Sequence, residues 1–277
     1  MDNSKMPEKQ FKKKVVRRHF QNPRECYTEL AKLCGDKSGV INADRFLFRG
    51  EARYHPTSPP GMFRALTADT SLGVKMARTD ATEIFVERYE DDGGDPELAQ
   101  CLAQHYLSTS DCLDFSASLG VALAFALDEW ESKKDRTAYI AVLHREMAES
   151  SPRFRLRDLR DEAYALRPVR QLGFVAVHHP GNFIDLKNDQ CRTEIGLEWY
   201  SFTVASGNVV AERHRNAPRV DDLYDIKNDR FAWKMIAHLI GLINDPSPHW
   251  GEDGLQHLVD TLQTLFSRTS GGQGAAR

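Results

Sequence analysis

Two separated segments of this chain carry residues able to do chemistry. Phe46-Leu47-Phe48-Arg49-Gly50 sets an arginine at the end of a short apolar strand, directly before a glycine. A guanidinium fork matches a phosphate bidentately, and a glycine lets a ligand approach the backbone. An arginine salt-bridged to a core carboxylate fits the same residues. The second segment runs from Gln104-His105-Tyr106 to Leu113-Asp114-Phe115-Ser116-Ala117-Ser118. Ser116 and Ser118, two apart on an expected strand, fall on one face, where their hydroxyls can brace a pocket. Asp114 lies between apolar Leu113 and Phe115 and needs a partner. A His105–Asp114 pair is expected, whether His105 touches a ligand or is a buried structural histidine. Tyr106 can stack on a flat ligand, but core filling suits it better.

These residues need a frame. Cys26, Tyr27, Leu30, Leu33 and Cys34 recur at three and four, which predicts a helix after Pro23 with Gly35 at its end. Residues 46–48, 112–116, 138–143 and 174–178 read as strands. Helices are expected over 80–90, 96–106 and 119–130, the second entered through Asp95 and Pro96. The last of these is apolar nearly all round and should be buried on most sides. Residues 51–61, rich in proline, form an irregular loop. Beyond Ser206-Gly207-Asn208, helices near 229–243 and 254–267 carry leucine and isoleucine stripes that suit packing. Strands and helices without regular alternation favour an α+β fold, a compact mixed core with a C-terminal helical extension. The expected division is a basic N-terminal segment 1–23, a domain 24–205, the extension 206–268 and a disordered tail 269–277.

Composition excludes several classes. Apolar residues make up 41%, enough for a sizeable core, and a net charge of -3 over 277 residues leaves only local patches to steer a polyanion. The basic run Lys12, Lys13, Lys14, Arg17 and Arg18 reads as a solvated face. Five scattered cysteines show no metal spacing, and with no apolar signal segment they suggest a reducing cytoplasm. No apolar run is long enough for a membrane span. His144 and His178-His179 lack further ligands at metal spacing, so no metal is expected. Cys112, His105 and Asp114 can be written as a triad, but a cysteine on a buried strand is inert packing. No Gly-x-Gly-x-x-Gly or Walker loop is present.

The two segments resemble the FRG domain family, named for its Phe-Arg-Gly strand. Leu47-Phe48-Arg49-Gly50 with Pro60-Gly61-Met62-Phe63-Arg64 is similar to the family's opening motif. Ala103-Gln104-His105-Tyr106, Leu113-Asp114-Phe115-Ser116 and Ala122-Leu123-Ala124-Phe125-Ala126 follow in the family's order, and Gln171-Leu172-Gly173-Phe174 is similar to a third block, with Phe174 one place early. The resemblance spans roughly residues 24–200. In the loop before Leu113 an acidic Asp111 replaces the family's basic position.

A more distant resemblance links Arg49-Gly50 and Phe115-Ser116-Ala117-Ser118 to the arginine and Ser-x-Ser strands of ADP-ribosyltransferases. It implies an ADP-ribosyltransferase-like core that uses NAD as co-substrate and modifies a macromolecule (DNA, RNA or protein), in a bacterial toxin or phage-defence setting. Arg49, Gly50, Tyr106, Asp114, Ser116, Ser118 and Gln171 would then hold NAD, with His105 on a ribose hydroxyl or a diphosphate. Cleaving the nicotinamide–ribose bond builds positive charge on the sugar, which calls for a carboxylate. Glu194 and Glu198, expected a helical turn apart, are the candidates, with Gln171 as a further acceptor. A non-catalytic module for a nucleotide or phosphate ligand is the alternative. A nuclease built on His105 and Arg49 ranks last, because no second base is evident.

Overall fold

A computed structural model describes residues 6–35, 44–58, 71–107, 112–128, 135–162, 165–178, 185–206, 218, 223 and 229–269, the side chains of 267–269 apart. Short polar side chains set the helix starts. Asn22 accepts a hydrogen bond from the Glu25 N–H and Pro23 fills the first turn, beginning α2 (Pro23–Cys34) behind α1 (Glu8–Lys14). Ser71 caps α3 (Leu72–Asp91), and the Asp95 carboxylate accepts from the Glu97 N–H at the start of α4 (Pro96–Leu107). Ser118 caps α5 (Leu119–Ala126), and Asn188 caps α8 (Asp189–Ile195). Two one-turn helices, α6 (Arg145–Glu149) and α7 (Leu166–Arg170), join strands. Asp229 caps α9 (Arg230–Asn244), which leads to α10 (Gly251–Thr269).

Among the described residues, seven strands form one sheet: β1 (Val16–Phe20), β2 (Phe46–Glu51), β3 (Leu113–Ser116), β4 (Arg136–His144), β5 (Phe154–Asp158), β6 (Gly173–His178) and β7 (Leu197–Val204). Their spatial order is β1-β7-β4-β2-β3-β6-β5, antiparallel except for the parallel pair β1–β7. The fold is therefore mixed α and β on an open sheet. Alternate residues of β4 feed opposite faces: Ala138, Ile140 and Val142 pack under α2 and α5, while Tyr139, Ala141 and Leu143 pack with Phe11, Ile195 and Trp199. Burial on both faces explains why this strand reads as a continuous apolar run. On the α5 side, Gly50 is a contact point, since a Cβ there would lie 1.8 Å from the Ala122 carbonyl oxygen. The glycine admits a helix backbone rather than a ligand.

The division expected from the sequence changes in two places. From residue 6 onward the N-terminal segment belongs to the fold, since Phe11 of α1 is fully buried and β1 adds a strand to the sheet, while Lys13, Lys14, Arg17 and Arg18 stay exposed. The C-terminal helices are no appendage either. Phe231, Met235, Ile236, Leu239, Trp250, Leu258 and Leu265 share one buried cluster with Ala77, Phe85, Leu98 and Leu102 of α3 and α4. The contact is close, because a Cβ at Gly254 would fall 2.6 Å from the Gly73 carbonyl oxygen. Polar pairs key it further: the Trp250 Nε1–H donates to Asp80 at 2.6 Å and the His238 Nε2–H to the Ala81 carbonyl at 2.8 Å. The tail beyond 269 lies outside the described residues. No helix among the described residues is long and apolar enough to cross a membrane.

Candidate functional site: a cleft where two central strands part

β2 pairs with β4 along its whole length, and β3 pairs with β6 at four positions, yet β2 and β3 meet at one pair only, Phe48 with Ser116. Past that pair the sheet opens, and Arg49 spans the gap. One terminal nitrogen of its guanidinium donates to the Asp114 main-chain oxygen at 2.9 Å and faces the Asp114 Oδ2 at 3.3 Å. A side chain thus replaces the backbone ladder where the strands diverge. The resulting cavity has a volume of about 220 Å³ and is lined by Arg49, Gly50, Gln104, His105, Asp114, Ser116, Arg167 and Gln171, with Phe48 and Phe125 among its apolar walls.

His105 comes from the last turn of α4, and its partner is Gln171 rather than the Asp114 expected from the sequence. Its Nδ1–H donates to the Gln171 Oε1 at 3.0 Å, so the neutral ring keeps a lone pair at Nε2. Nε2 is buried and has no hydrogen-bond partner in the described structure. Burial pushes the His105 pKa down to about 4, against the opposing charge of Asp114, so the ring is uncharged at neutral pH. Gly173 leaves room beside it: a Cβ there would sit 3.4 Å from Nε2. The consequence is chemical. Nε2 can accept a hydrogen bond from a ligand hydroxyl or N–H but has no proton to offer a phosphate oxygen.

Asp114 finds its partners elsewhere, with Gln104 Nε2 donating to its Oδ1 at 2.7 Å and Arg49 beside its Oδ2. Its side chain keeps 39% of its surface open, so the carboxylate can face an incoming group. Arg49 is nearly closed off at 9% exposure; its Nε makes no hydrogen bond and lies 3.9 Å from the Glu51 carboxylate. Arg167 adds a second guanidinium to the wall, set 5.6 Å over the Tyr106 ring.

The structure thus unites Arg49, Gly50, His105, Asp114, Ser116 and Gln171, and separates four other residues proposed for the site. Ser118 does not share a strand face with Ser116, because the strand stops at Ser116 and Ser118 caps α5 by accepting from the Val121 N–H. The Ser116 hydroxyl is also committed, donating to the Gln171 carbonyl at 2.7 Å and accepting from the Ser118 N–H at 2.9 Å. Tyr106 lies in the core, its hydroxyl donating to Asp229 at 2.5 Å. Glu194 and Glu198 are not a helical turn apart. Gly196 adopts a left-handed φ of 65° and ends α8, leaving Glu198 on β7. Glu194 pairs with Arg153 and Gln190; Glu198 pairs with Arg17 and Tyr200 beside a different groove.

Sequence reasoning missed Gln104 and Arg167 as lining residues. Gln104 stands within a quoted motif and Arg167 just before another, but only the tertiary contact of α4 and α7 with β3 and β6 brings them to the gap. The proline loop 59–64 and the segment 108–111 with Asp111 lie outside the described residues. No group of three or more His, Cys, Asp or Glu among the described residues could hold a metal ion. In comparisons with known proteins, no family model, no curated protein and no solved structure matches this chain.

Proposed function

We propose that this chain is an NAD-using enzyme of ADP-ribosyltransferase type that modifies a macromolecule, with the cleft at the β2–β3 opening as its site. One observation carries the reading: an arginine, a neutral histidine with an unpartnered lone pair and a partly open carboxylate converge at one gap between central strands. NAD, when bound, supplies a ribosyl C1′–nitrogen bond whose electron pair leaves with nicotinamide, while C1′ bonds to an acceptor atom that releases its proton to solvent. Asp114 takes the charge-stabilising role first assigned to Glu194 and Glu198, because it is the carboxylate in the cleft. Arg49 and Arg167 provide positive charge for a diphosphate. His105, unable to donate from Nε2, orients a ribose hydroxyl by accepting from it. The orphaned Nε2 atom is the feature that fits such a ligand; the cavity of about 220 Å³ would admit one end of a dinucleotide.

Both Asp114 oxygens already accept bonds within the protein, and this favours a second reading, a module that binds a nucleotide without turnover. The deciding experiment incubates the purified chain with nicotinamide-labelled NAD and with DNA, RNA or protein acceptors, and measures NAD and ADP binding in parallel. Nicotinamide release that disappears in Asp114→Asn and Arg49→Lys supports the enzyme. Binding without release supports the module. Absence of both binding and release overturns both readings.

A further inference from the structure

Arg49 and Glu51 stand two residues apart on one face of β2, and a buried arginine beside a buried glutamate would ordinarily close into a bidentate pair. They do not close. The Arg49 Nε stays 3.9 Å from the Glu51 Oε1, outside hydrogen-bonding reach, while the guanidinium reaches across the strand gap to Asp114. Glu51 is engaged on its other side. Its Oε2 accepts from the Lys187 ammonium at 2.8 Å and its Oε1 from the Ser58 hydroxyl at 2.5 Å.

Lys187 is held in turn by an aromatic box. Its Nζ lies 4.7 Å from the centroid of Tyr54, 5.0 Å from Trp199, 5.3 Å from Phe11 and 6.0 Å from Tyr139, within cation–π range of all four rings. It also donates to the His55 carbonyl at 2.6 Å. Asp185 locks the bracket by accepting from the Ser58 and Lys187 backbone N–H groups at 2.8 and 2.9 Å. Burying a lysine at 3% side-chain exposure is costly, and an apolar residue of similar length would pack among four rings more cheaply. The ammonium therefore serves something other than packing.

From this geometry we infer that Lys187 is a positioning residue for the cleft. Fixed by the aromatic box, it holds the Glu51 carboxylate and so leaves the Arg49 guanidinium turned toward Asp114 and an incoming ligand. Without the ammonium, Arg49 is the remaining cation beside Glu51 among the described residues, and the pair closes at the expense of the cleft. The inference rests on the reading of Arg49 as a ligand-binding group.

The test uses the full chain with Lys187→Met, Lys187→Gln and the double variant Lys187→Met/Glu51→Gln. The Arg49 Nε–H signal, observed by ¹⁵N nuclear magnetic resonance and assigned by its loss in Arg49→Lys, reports the guanidinium without any ligand. Both single Lys187 variants should shift that signal and slow its hydrogen exchange, as expected of a new bond to Glu51, and should weaken NAD binding at least tenfold. The double variant should return the signal and bring affinity to within about threefold of the parent, even with a lower melting temperature, because position 51 no longer carries a charge to pull on Arg49. Lys187→Gln, a shorter and neutral but still polar side chain, is the variant to read if the methionine change prevents folding. An unchanged Arg49 signal in a folded single variant, or no rescue in the double, overturns the inference. If the parent chain binds no NAD, the proposed function falls, and the Arg49 signal alone still decides the role of Lys187.

Discussion

Replacing His105 with asparagine should flatten the acid sensitivity of this protein by an amount the structure specifies. The ring is buried, with its pKa pushed down to about 4 from the ordinary 6.5, so the unfolded chain binds a proton that the folded chain refuses. Stability from this group is fully present above pH 6.5 and is lost as pH falls toward 4. At about pH 5 the imbalance costs about 2 kcal/mol, and at about pH 4 about 3 kcal/mol, a large part of the roughly 5–15 kcal/mol that holds a domain together. Asparagine keeps an amide N–H near the position of Nδ1 for Gln171 and cannot titrate. Its own cost, a small cavity, is independent of pH. Urea unfolding of both proteins at about pH 7.5, 6 and 5 gives two lines. The parent should lose about 2 kcal/mol more than the variant between the extremes. His238 and His257, both shifted down chiefly by burial, act in both proteins and cancel. Parallel lines would refute the neutral-histidine reasoning and with it the donor-only ligand rule at Nε2.

Three further outcomes are expected. Gly50→Ala should cost about 3 kcal/mol or more, because its Cβ would meet a helix carbonyl at 1.8 Å and backbone cannot step aside; calorimetry showing an unchanged melting temperature would refute the packing role. Removal of everything after residue 205 should leave a chain with no cooperative unfolding transition. At about 1.5–3 kcal/mol for each large apolar side chain, losing Phe231, Met235, Ile236, Leu239, Trp250, Leu258 and Leu265 exceeds the whole margin of stability; a truncated form that folds and binds NAD would restore the view of these helices as an appendage. Arg49→Lys should weaken NAD binding by about 2–5 kcal/mol, since a point ammonium cannot span to Asp114 as the fork does; titration calorimetry on folded variant showing parent-like affinity would make Arg49 purely structural.

Much of the local structure was legible in the sequence, because caps and apolar periods act over a few residues. The helix after Pro23, the run behind Pro96 and the strand Tyr139-Ile140-Ala141-Val142-Leu143 needed only spacing and capping chemistry. The edge strands β1 and β5 were not legible, since Val16-Arg17-Arg18-His19-Phe20 and Phe154-Arg155-Leu156-Arg157-Asp158 expose charged residues and become strands only through a neighbour's backbone. The same division runs through the site. Residue type and place in the chain marked Arg49, His105 and Asp114, while Gln171 was marked only by the resemblance to the FRG family. Which partner each takes was decided by tertiary structure. A single pair between β2 and β3 opens the gap that Arg49 spans, the end of α4 delivers His105 to Gln171 instead of Asp114, and one left-handed glycine sends Glu194 and Glu198 to different elements. Such pairings depend on how distant elements pack, a property that no window of sequence contains.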